Sequence, residues 1–485
     1  MPNSSATLAH HPGLKIIFFT EMWERFSFYS MRALLVLYLV HALNYSRADA
    51  LALYGIYTGL VYLTPILGGY LADRYLGQRQ GAVIGGLLML LGHFSMALPS
   101  LLHVALGLLI LGNGFFKPNT TALVGQLYDA QDVRRDSAYT IFYIGINLGA
   151  FLAPLVAGSL GEKLGWHWGF VCAGIGMAIG LFVLIYWQNL LGRAGLREQQ
   201  QQIGWSDWQR IGSITLLSSL GVYLIVLLWP LCADVIMSWP NWLKALIGLL
   251  VLSLVLFKPK YLQKLSKSSP FSVSRDEWKI LLMLGLTSLF MIVFWMSFEQ
   301  AGGTLNLFAD NATDRHIFGY EMPATWFQAI NPLAIILLGP IFAIIWTRLG
   351  QSRWYLPDPA KLAFGMLTIS LAFVVMAYAH ERAQLFGKVG PLWLVAVYIL
   401  NTLGELMLSP IGLSMVSKLA PARLVGLVMG FWFITVAIGN YLAGILEQLL
   451  SQSNIPLYWF LVLSCAGCGT ILLLLTPFLE KLRKP

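Results

Sequence analysis

One long apolar run carries four ionisable groups. It reads FFTEMWERFSFYSMRALLVLYL from Phe18 to Leu39 and contains Glu21, Glu24, Arg25 and Arg32. If the run is a helix, Glu21 and Arg25 are four apart and share a face. Arg32 lies on the same stripe with Tyr29 between, and Glu24 lies about 100° round from Arg25. A charge at mid-membrane costs about 2.5–3.5 kcal/mol on insertion scales, so such groups should be few, paired and functional. The plainer alternative is a salt bridge that anchors one helix end. It fits Glu21 better than Arg32, which lies two turns deeper. Carboxylates that titrate while facing fixed cations suit the uptake and release of protons.

Other apolar runs repeat the pattern singly. Lys117 stands in GNGFFKPNT, Asn147 in FYIGINLGAF, Glu299 in FWMSFEQAGG, Asn331 in WFQAINP and Glu405 in NTLGELMLSP. Arg25, Arg32 and Lys117 nearly balance Glu21, Glu24, Glu299 and Glu405, as a buried pairing network requires. Tyr29, Tyr62, Trp295 and Trp432 neighbour this polar face or a Gly/Pro break, although aromatics at such spacing also serve plain packing. Lys244 is alone in its run and can snorkel. No phosphate loop occurs, since Gly387-Lys388 is followed by Val389. There is no H-E-x-x-H, no metal-spaced His/Asp/Glu cluster and no G-x-S-x-G. ATP hydrolysis, metal chemistry and acyl transfer therefore have no residues to work with, and no cofactor or metal is expected. Nucleic-acid motifs are absent too.

The elements that must position these residues are membrane helices. The 485 residues are 58% hydrophobic and only 11% charged, against roughly 25% charged in a soluble domain. A spanning helix needs about 20 apolar residues. Fourteen segments qualify: 15–41, 49–73, 81–99, 102–128, 137–160, 166–190, 210–231, 240–261, 278–303, 325–347, 360–380, 390–417, 423–450 and 456–480. They fall into six, two and six, separated by basic stretches from Arg193 to Arg210 and from Lys258 to Lys279. This organisation predicts an N-terminal six-helix bundle over 1–190, a linker with two extra helices over 191–277 and a C-terminal six-helix bundle over 278–485. With the N-terminus inside, only Arg47, Lys163, Arg315, Arg382 and Lys388 fall in outer loops. The positive-inside rule then predicts that both termini are cytoplasmic. The net charge of +9 reflects this topology rather than a nucleic-acid partner. The first run lacks a basic leader and an A-x-A-like cleavage site, so it is expected to be a retained helix. Cys465 and Cys468 form a C-x-x-C inside an apolar run, where packing explains them better than zinc or redox chemistry. A weak repeat links GGYLADRYLGQR, Gly68 to Arg79, with GPIFAIIWTRLGQSR, Gly339 to Arg353. Each is expected to set a cation beside a tight glycine turn at equivalent places in duplicated halves.

At this level of detail the chain resembles a known family. EMWERFSFYSMRALLVLYL is similar to the first-helix E-x-x-E-R-F-x-Y-Y signature of bacterial proton-dependent oligopeptide transporters, a branch of the major facilitator superfamily. VYLTPILGGYLADRYLG, GNGFFKPN, RRDSAYTIFYIGINLGAFLAP, FWMSFEQ, FQAINP and GELMLSPIGLSMVSKLAP follow in the family's order. The extra helix pair between the halves is also typical of bacterial members. The resemblance implies an all-α polytopic protein of the major facilitator fold, with 14 transmembrane helices in two six-helix bundles plus a linker hairpin. It implies roles in proton coupling for Glu21, Glu24, Arg25 and Glu299. It implies that Arg32 is a substrate-site arginine paired with Glu299, that Lys117 lies near the peptide carboxylate and that Glu405 holds the peptide amine. Tyr29, Tyr62, Asn147, Trp295, Asn331 and Trp432 match further binding positions. Phe28, Ser30 and Val436 depart from the family pattern, which bears on side-chain preference. Gly55 stands where animal members carry a histidine, so no histidine proton step operates there.

A short peptide is a zwitterion, and this residue set supplies cations for its carboxylate and a carboxylate for its ammonium. The leading expectation is a monomeric importer of di- and tripeptides, driven by protons, in the bacterial inner membrane. The runner-up carries another carboxylated or zwitterionic solute on the same framework. An intramembrane enzyme would need a nucleophile–base or metal set, and a receptor would show no linkage of uptake to a pH gradient.

Overall fold

The computed structural model describes residues 9–197 except 130, 131 and 133, scattered positions between 204 and 224, and residues 274–483 except 354 and 452. The first six long helices are α1 (Gly13–His41), α2 (Arg47–Leu76), α3 (Gln78–Met96), α4 (Pro99–Gln126), α5 (Arg134–Leu164) and α6 (Trp166–Tyr186). After the linker come α7 (Arg275–Phe298), the short α8 (Thr304–Asn311), α9 (Ile330–Gly350), α10 (Asp358–Phe386), α11 (Leu392–Leu419), α12 (Val425–Ser451) and α13 (Leu457–Arg483). Ten helices among the described residues are long and apolar enough to cross a membrane. α1, the carrier of the four ionisable groups, is not one of them. The expected spans 210–231 and 240–261 lie mostly or wholly outside the described residues, as do Lys244 and Cys232.

Local chemistry sets the helix ends. Ser46 accepts the Asp49 amide at 3.1 Å to start α2, and Ser274 with Glu277 forms a capping box at the start of α7. α1 packs on α5 and α6, and α3 packs on α4 and α6. In the second set α7 packs on α12 and α13, and α10 packs on α11 and α13. α2 against α12 and α9 against α5 join the two sets. Large apolar side chains such as Phe182, Leu337 and Leu474 face outward, as a lipid-facing surface requires.

Small residues let backbones touch. A Cβ on Gly55 of α2 would lie 2.8 Å from Gly444 Cα, and a Cβ on Gly59 would lie 3.0 Å from the Ala437 carbonyl, both on α12. This is the small-xxx-small packing of membrane helices. It also explains why position 55 has no room for a side chain.

Three details depart from the sequence expectations. The span predicted over 278–303 breaks: a 3₁₀ turn at Glu299–Ala301 and the pair Gly302-Gly303 separate α7 from α8. Gly302 is pressed so close to the Tyr54 hydroxyl that no side chain fits. The two repeat segments are not equivalent. Gly77 takes φ +79° and makes the expected tight turn, with Arg79 donating to the Ala194 and Gly192 carbonyls at 2.6 Å each. Gly350 instead remains the last residue of α9, so no tight glycine turn follows there. A two-stranded hairpin, His316–Ile317 with Tyr320–Glu321, turns on Phe318 and Gly319 at positive φ.

Candidate functional site

Two ionic clusters share α1. In the first, the Arg25 guanidinium grips Glu24 in a two-pronged contact, Nε and Nη2 each 2.5 Å from a carboxylate oxygen. Arg25 stands farther from Glu21, at 3.5 Å. The i,i+4 geometry therefore brings Glu21 near, but the flexible guanidinium swings round to its chain neighbour. Arg25 is 2% exposed and both glutamates are fully buried. α4 completes the cluster. Asn113 donates to Glu24 at 3.3 Å and Thr120 donates to Glu21 at 2.8 Å, while Lys117 acts electrostatically on both glutamates. Two carboxylates thus face two cations. One oxygen, Glu21 Oε1, accepts no hydrogen bond.

Removing one partner of a buried pair is costly, about 3–5 kcal/mol, because the other charge stays buried alone. Arg25→Met is therefore expected to lower the melting temperature of the detergent-solubilised protein markedly. Glu24→Gln/Arg25→Met should recover most of that loss. Equal melting temperatures for the single and double variants would show that the pair does not act as a unit.

In the second cluster Arg32, two turns further along α1, crosses to the second helix set. Its Nη2 lies 2.9 Å from Glu299 Oε2, and its Nε donates to the Tyr54 hydroxyl at 3.1 Å. Tyr54 in turn donates to the same Glu299 oxygen at 3.4 Å. The break after Phe298 brings Glu299 to this position, at the end of α7. Tyr29 lies under the guanidinium, 5.6 Å from ring centroid to Cζ.

Beside this pair is a narrow cleft. Its walls include Tyr29 and Arg32 of α1, Ala150 of α5, Asn331 of α9, and Tyr398 and Asn401 of α11. Asn331 donates to Glu405 at 2.8 Å and to Thr402 at 3.0 Å, tying α9 to α11. The other sequence-predicted residues are more dispersed. Lys117 sits over the Tyr62 ring at 5.5 Å. The Asn147 amide donates back to its own helix, to the Tyr143 carbonyl at 2.9 Å. Trp295 is packed edge-on to Phe294 and Phe298, with its indole N–H unpartnered. Trp432 is 3% exposed and lies against Gly412, where a Cβ would collide with its ring. Cys465 fills a helix contact, 3.0 Å from Ser297 Oγ, which suits the packing explanation.

Sequence reasoning missed Tyr54, Asn113, Thr120, Gln328 and Asn401. Asn113 and Thr120 lie one turn either side of Lys117 on α4, so helical spacing held a usable signal for them. Tyr54 had none: it is an ordinary aromatic in an apolar helix.

Beyond the cleft one end of the molecule is clasped shut. Arg47 of α2 holds Glu447 of α12 through two contacts, at 2.6 and 3.0 Å. His41 lies 2.7 Å from Asp310 and stacks on Trp166. Arg315 bridges Asp310, Glu321 and Glu162, and Glu162 also accepts the Ala324 and Thr325 amides at 2.8 and 2.9 Å. Asn306 donates to the Ala33 carbonyl at 2.8 Å. The Arg47–Glu447, His41–Asp310, Arg315–Glu162 and Asn306–Ala33 contacts and the two amides held by Glu162 join the first helix set to the second.

A clasped end, a cleft at the junction of two helix sets and an ion pair spanning them form the architecture of a transporter. Comparison with known proteins agrees. The POT family model matches residues 81–200 and 257–460. Peptide transporter YePEPT of Yersinia enterocolitica is 35% identical over 98% of this chain and 95% of its own length. A di-/tripeptide transporter of Lactococcus lactis subsp. cremoris is 35% identical over 87% of this chain and 86% of its own. A crystal structure of peptide transporter POT in complex with sulfate superposes with TM-score 0.82 at 34% identity, covering 99% of this chain and 97% of that one. The family model spans parts of both helix sets, the YePEPT match covers nearly the whole chain, and the chain accordingly belongs to the POT family.

Proposed function

We propose that the chain is a proton-coupled symporter of di- and tripeptides, working by alternating access in the bacterial inner membrane. The observation that carries this reading is the Arg32–Tyr54–Glu299 bridge. It joins the two helix sets beside the cleft, so its making and breaking is tied to their relative motion. Protonating Glu299 removes the charge that holds Arg32. The carboxylate of an arriving peptide then takes its place. Glu405, steadied by Asn331, receives the peptide ammonium. Lys117 adds positive charge for the carboxylate end, and Tyr29, Tyr62, Asn147, Trp295 and Trp432 line side-chain space.

The cluster of Glu21, Glu24 and Arg25 is the second proton station. Glu21 Oε1 accepts no hydrogen bond, which makes it the oxygen best placed to take a proton. Closure of one half against the other is favourable only when proton and peptide are both present or both absent.

The finer architecture follows the same reading: two six-helix bundles, 1–190 and 278–485, with a two-helix linker over 191–277 and fourteen spans in all. Both termini then face the cytoplasm, the clasped end faces outward and the state described is inward-facing. The proposed working unit is the monomer.

Proteoliposomes loaded at neutral pH test this directly. Labelled Ala-Ala should accumulate when the outside is made acidic and only equilibrate when it is not. Unlabelled di- and tripeptides should compete, and single amino acids should compete poorly. Uptake indifferent to the gradient would overturn the proton coupling, and equal competition by amino acids would overturn the peptide assignment.

A further inference from the structure

We infer that Asn401 and Gln328 form a subsite that recognises the substrate's peptide bond. This deepens the transport reading and rests on it. Asn401 is 2% exposed, and neither its Oδ1 nor its Nδ2 has a hydrogen-bond partner. Gln328, in the 3₁₀ helix Ala324–Ala329, likewise has a buried Nε2 with no partner. Both residues line the cleft that holds Tyr29, Arg32 and Asn331. Buried amides are almost always hydrogen-bonded, so two unpartnered ones lining the same cleft need a reason.

The neighbouring amides sharpen the contrast. Asn331 already spends its donors on Glu405 and Thr402, and Asn147 spends one on its own helix. Asn440 is also unpartnered, but it is not among the residues lining the cleft. Orphaned amides therefore do not by themselves mark a site; the cleft selects Asn401 and Gln328.

Their chemistry fits one kind of group. A peptide bond presents one N–H donor and one C=O acceptor, and a side-chain amide presents the complement. The N–H and C=O of a trans peptide bond point opposite ways, so each side chain takes one of them: Asn401 Oδ1 accepts the substrate N–H, and Gln328 Nε2 donates to its carbonyl. The spacing agrees. Asn401 precedes Glu405 by one turn on α11, a rise of about 6 Å. A peptide advances about 3.5 Å per residue. With its ammonium on Glu405, the first peptide bond lies within side-chain reach of Asn401. A site built to hydrogen-bond an amide also rejects solutes that lack one, because its own polar groups are then left unpaired.

Three zwitterions of one skeleton test this. Gly-Gly has both amide groups. 5-Aminolevulinic acid replaces the N–H with CH₂ and keeps the carbonyl. 5-Aminopentanoic acid lacks both. Each is titrated against labelled Ala-Ala bound to the purified full-length protein, so that a transport defect does not obscure binding. The wild type should weaken by about five- to tenfold at each step of that order. Asn401→Leu should bring Gly-Gly close to 5-aminolevulinic acid, a loss of about tenfold. Asn401→Asp keeps the acceptor and should retain part of that step. Gln328→Leu should narrow the step between 5-aminolevulinic and 5-aminopentanoic acids. Affinity for 5-aminopentanoic acid should not fall in any of the three variants, and in the two leucine variants it should rise if anything, which also reports that they are folded. A wild-type ratio of Gly-Gly to 5-aminolevulinic acid in Asn401→Leu would overturn the subsite, and so would equal weakening of all three ligands. A wild type that binds no dipeptide at all would instead overturn the transport reading beneath it.

Discussion

Glu299→Gln is expected to abolish accumulation of dipeptide against a gradient while leaving counterflow exchange measurable. The side chains of Arg32 and Glu299 are 11% and 5% exposed and lie 2.9 Å apart across the two helix sets. Glutamine has the shape of a protonated glutamic acid. In the variant Arg32 is therefore permanently released, as it would be in the proton-loaded protein. Peptide can still bind and cross, but no proton need accompany it. Each pH unit across the membrane is worth about 1.4 kcal/mol per proton, a factor of ten in concentration. With two units imposed and one proton coupled, a wild-type accumulation of about 100-fold should fall to about one. Arg32→Gln should lose both accumulation and exchange, because it leaves Glu299 unpaired and removes the substrate's cation. Tyr54→Phe, which deletes only the bridging hydroxyl, should weaken coupling without abolishing it. Wild-type accumulation in Glu299→Gln would remove this residue from the coupling set.

The sequence declared the parts of this site that are expensive and concealed those that are cheap. Glu21, Glu24, Arg25, Arg32, Lys117, Glu299 and Glu405 stood out because a charge in an apolar run must be justified. Their spacing also put the first four on one helix. That Arg32 reaches Glu299, 267 positions away in sequence, came only from family resemblance, since periodicity within one helix is silent about its partner in another. Tyr54, Thr120, Asn401 and Gln328 gave no such signal, because a hydroxyl or amide is tolerated in any membrane helix that can satisfy it. The grip of Arg25 on Glu24 rather than Glu21 was hidden for a different reason. Cβ directions are fixed by the helix, but a long guanidinium can reach a neighbour about 100° away. The clasped end was illegible too. Arg47, Glu447, Asp310 and Arg315 look like ordinary loop charges until the fold sets α2 beside α12 and the α8 segment beside α1.

Closing that end depends on the absence of side chains, which gives the second large effect. A Cβ on Gly444 of α12 would collide with the Leu51 carbonyl and lie 2.6 Å from Gly55 Cα. Backbone atoms cannot yield as a flexible side chain would, so α2 and α12 must separate. Overpacking of this kind costs about 1–3 kcal/mol, enough to shift a two-state equilibrium by about 5–150-fold. It acts on the closed state alone, because the contact disappears when the helices part. Gly444→Val is therefore expected to hold this end open and reduce uptake to between about 20% and about 1% of wild type. Two spin labels report the opening, one on Asn44 and one on Gln384, both exposed at the clasped end. Their distance should lengthen in the variant, and the Arg47–Glu447 contact should be lost with it. Gly467→Val is the matched control, since a Cβ there meets nothing within 4 Å, and it should leave both uptake and distance unchanged. If Gly444→Val kept the short distance and normal uptake, the close approach of α2 and α12 would not be part of the transport cycle. If the two glycine variants lost activity alike, the loss would reflect glycine's general role in these helices rather than closure at this crossing.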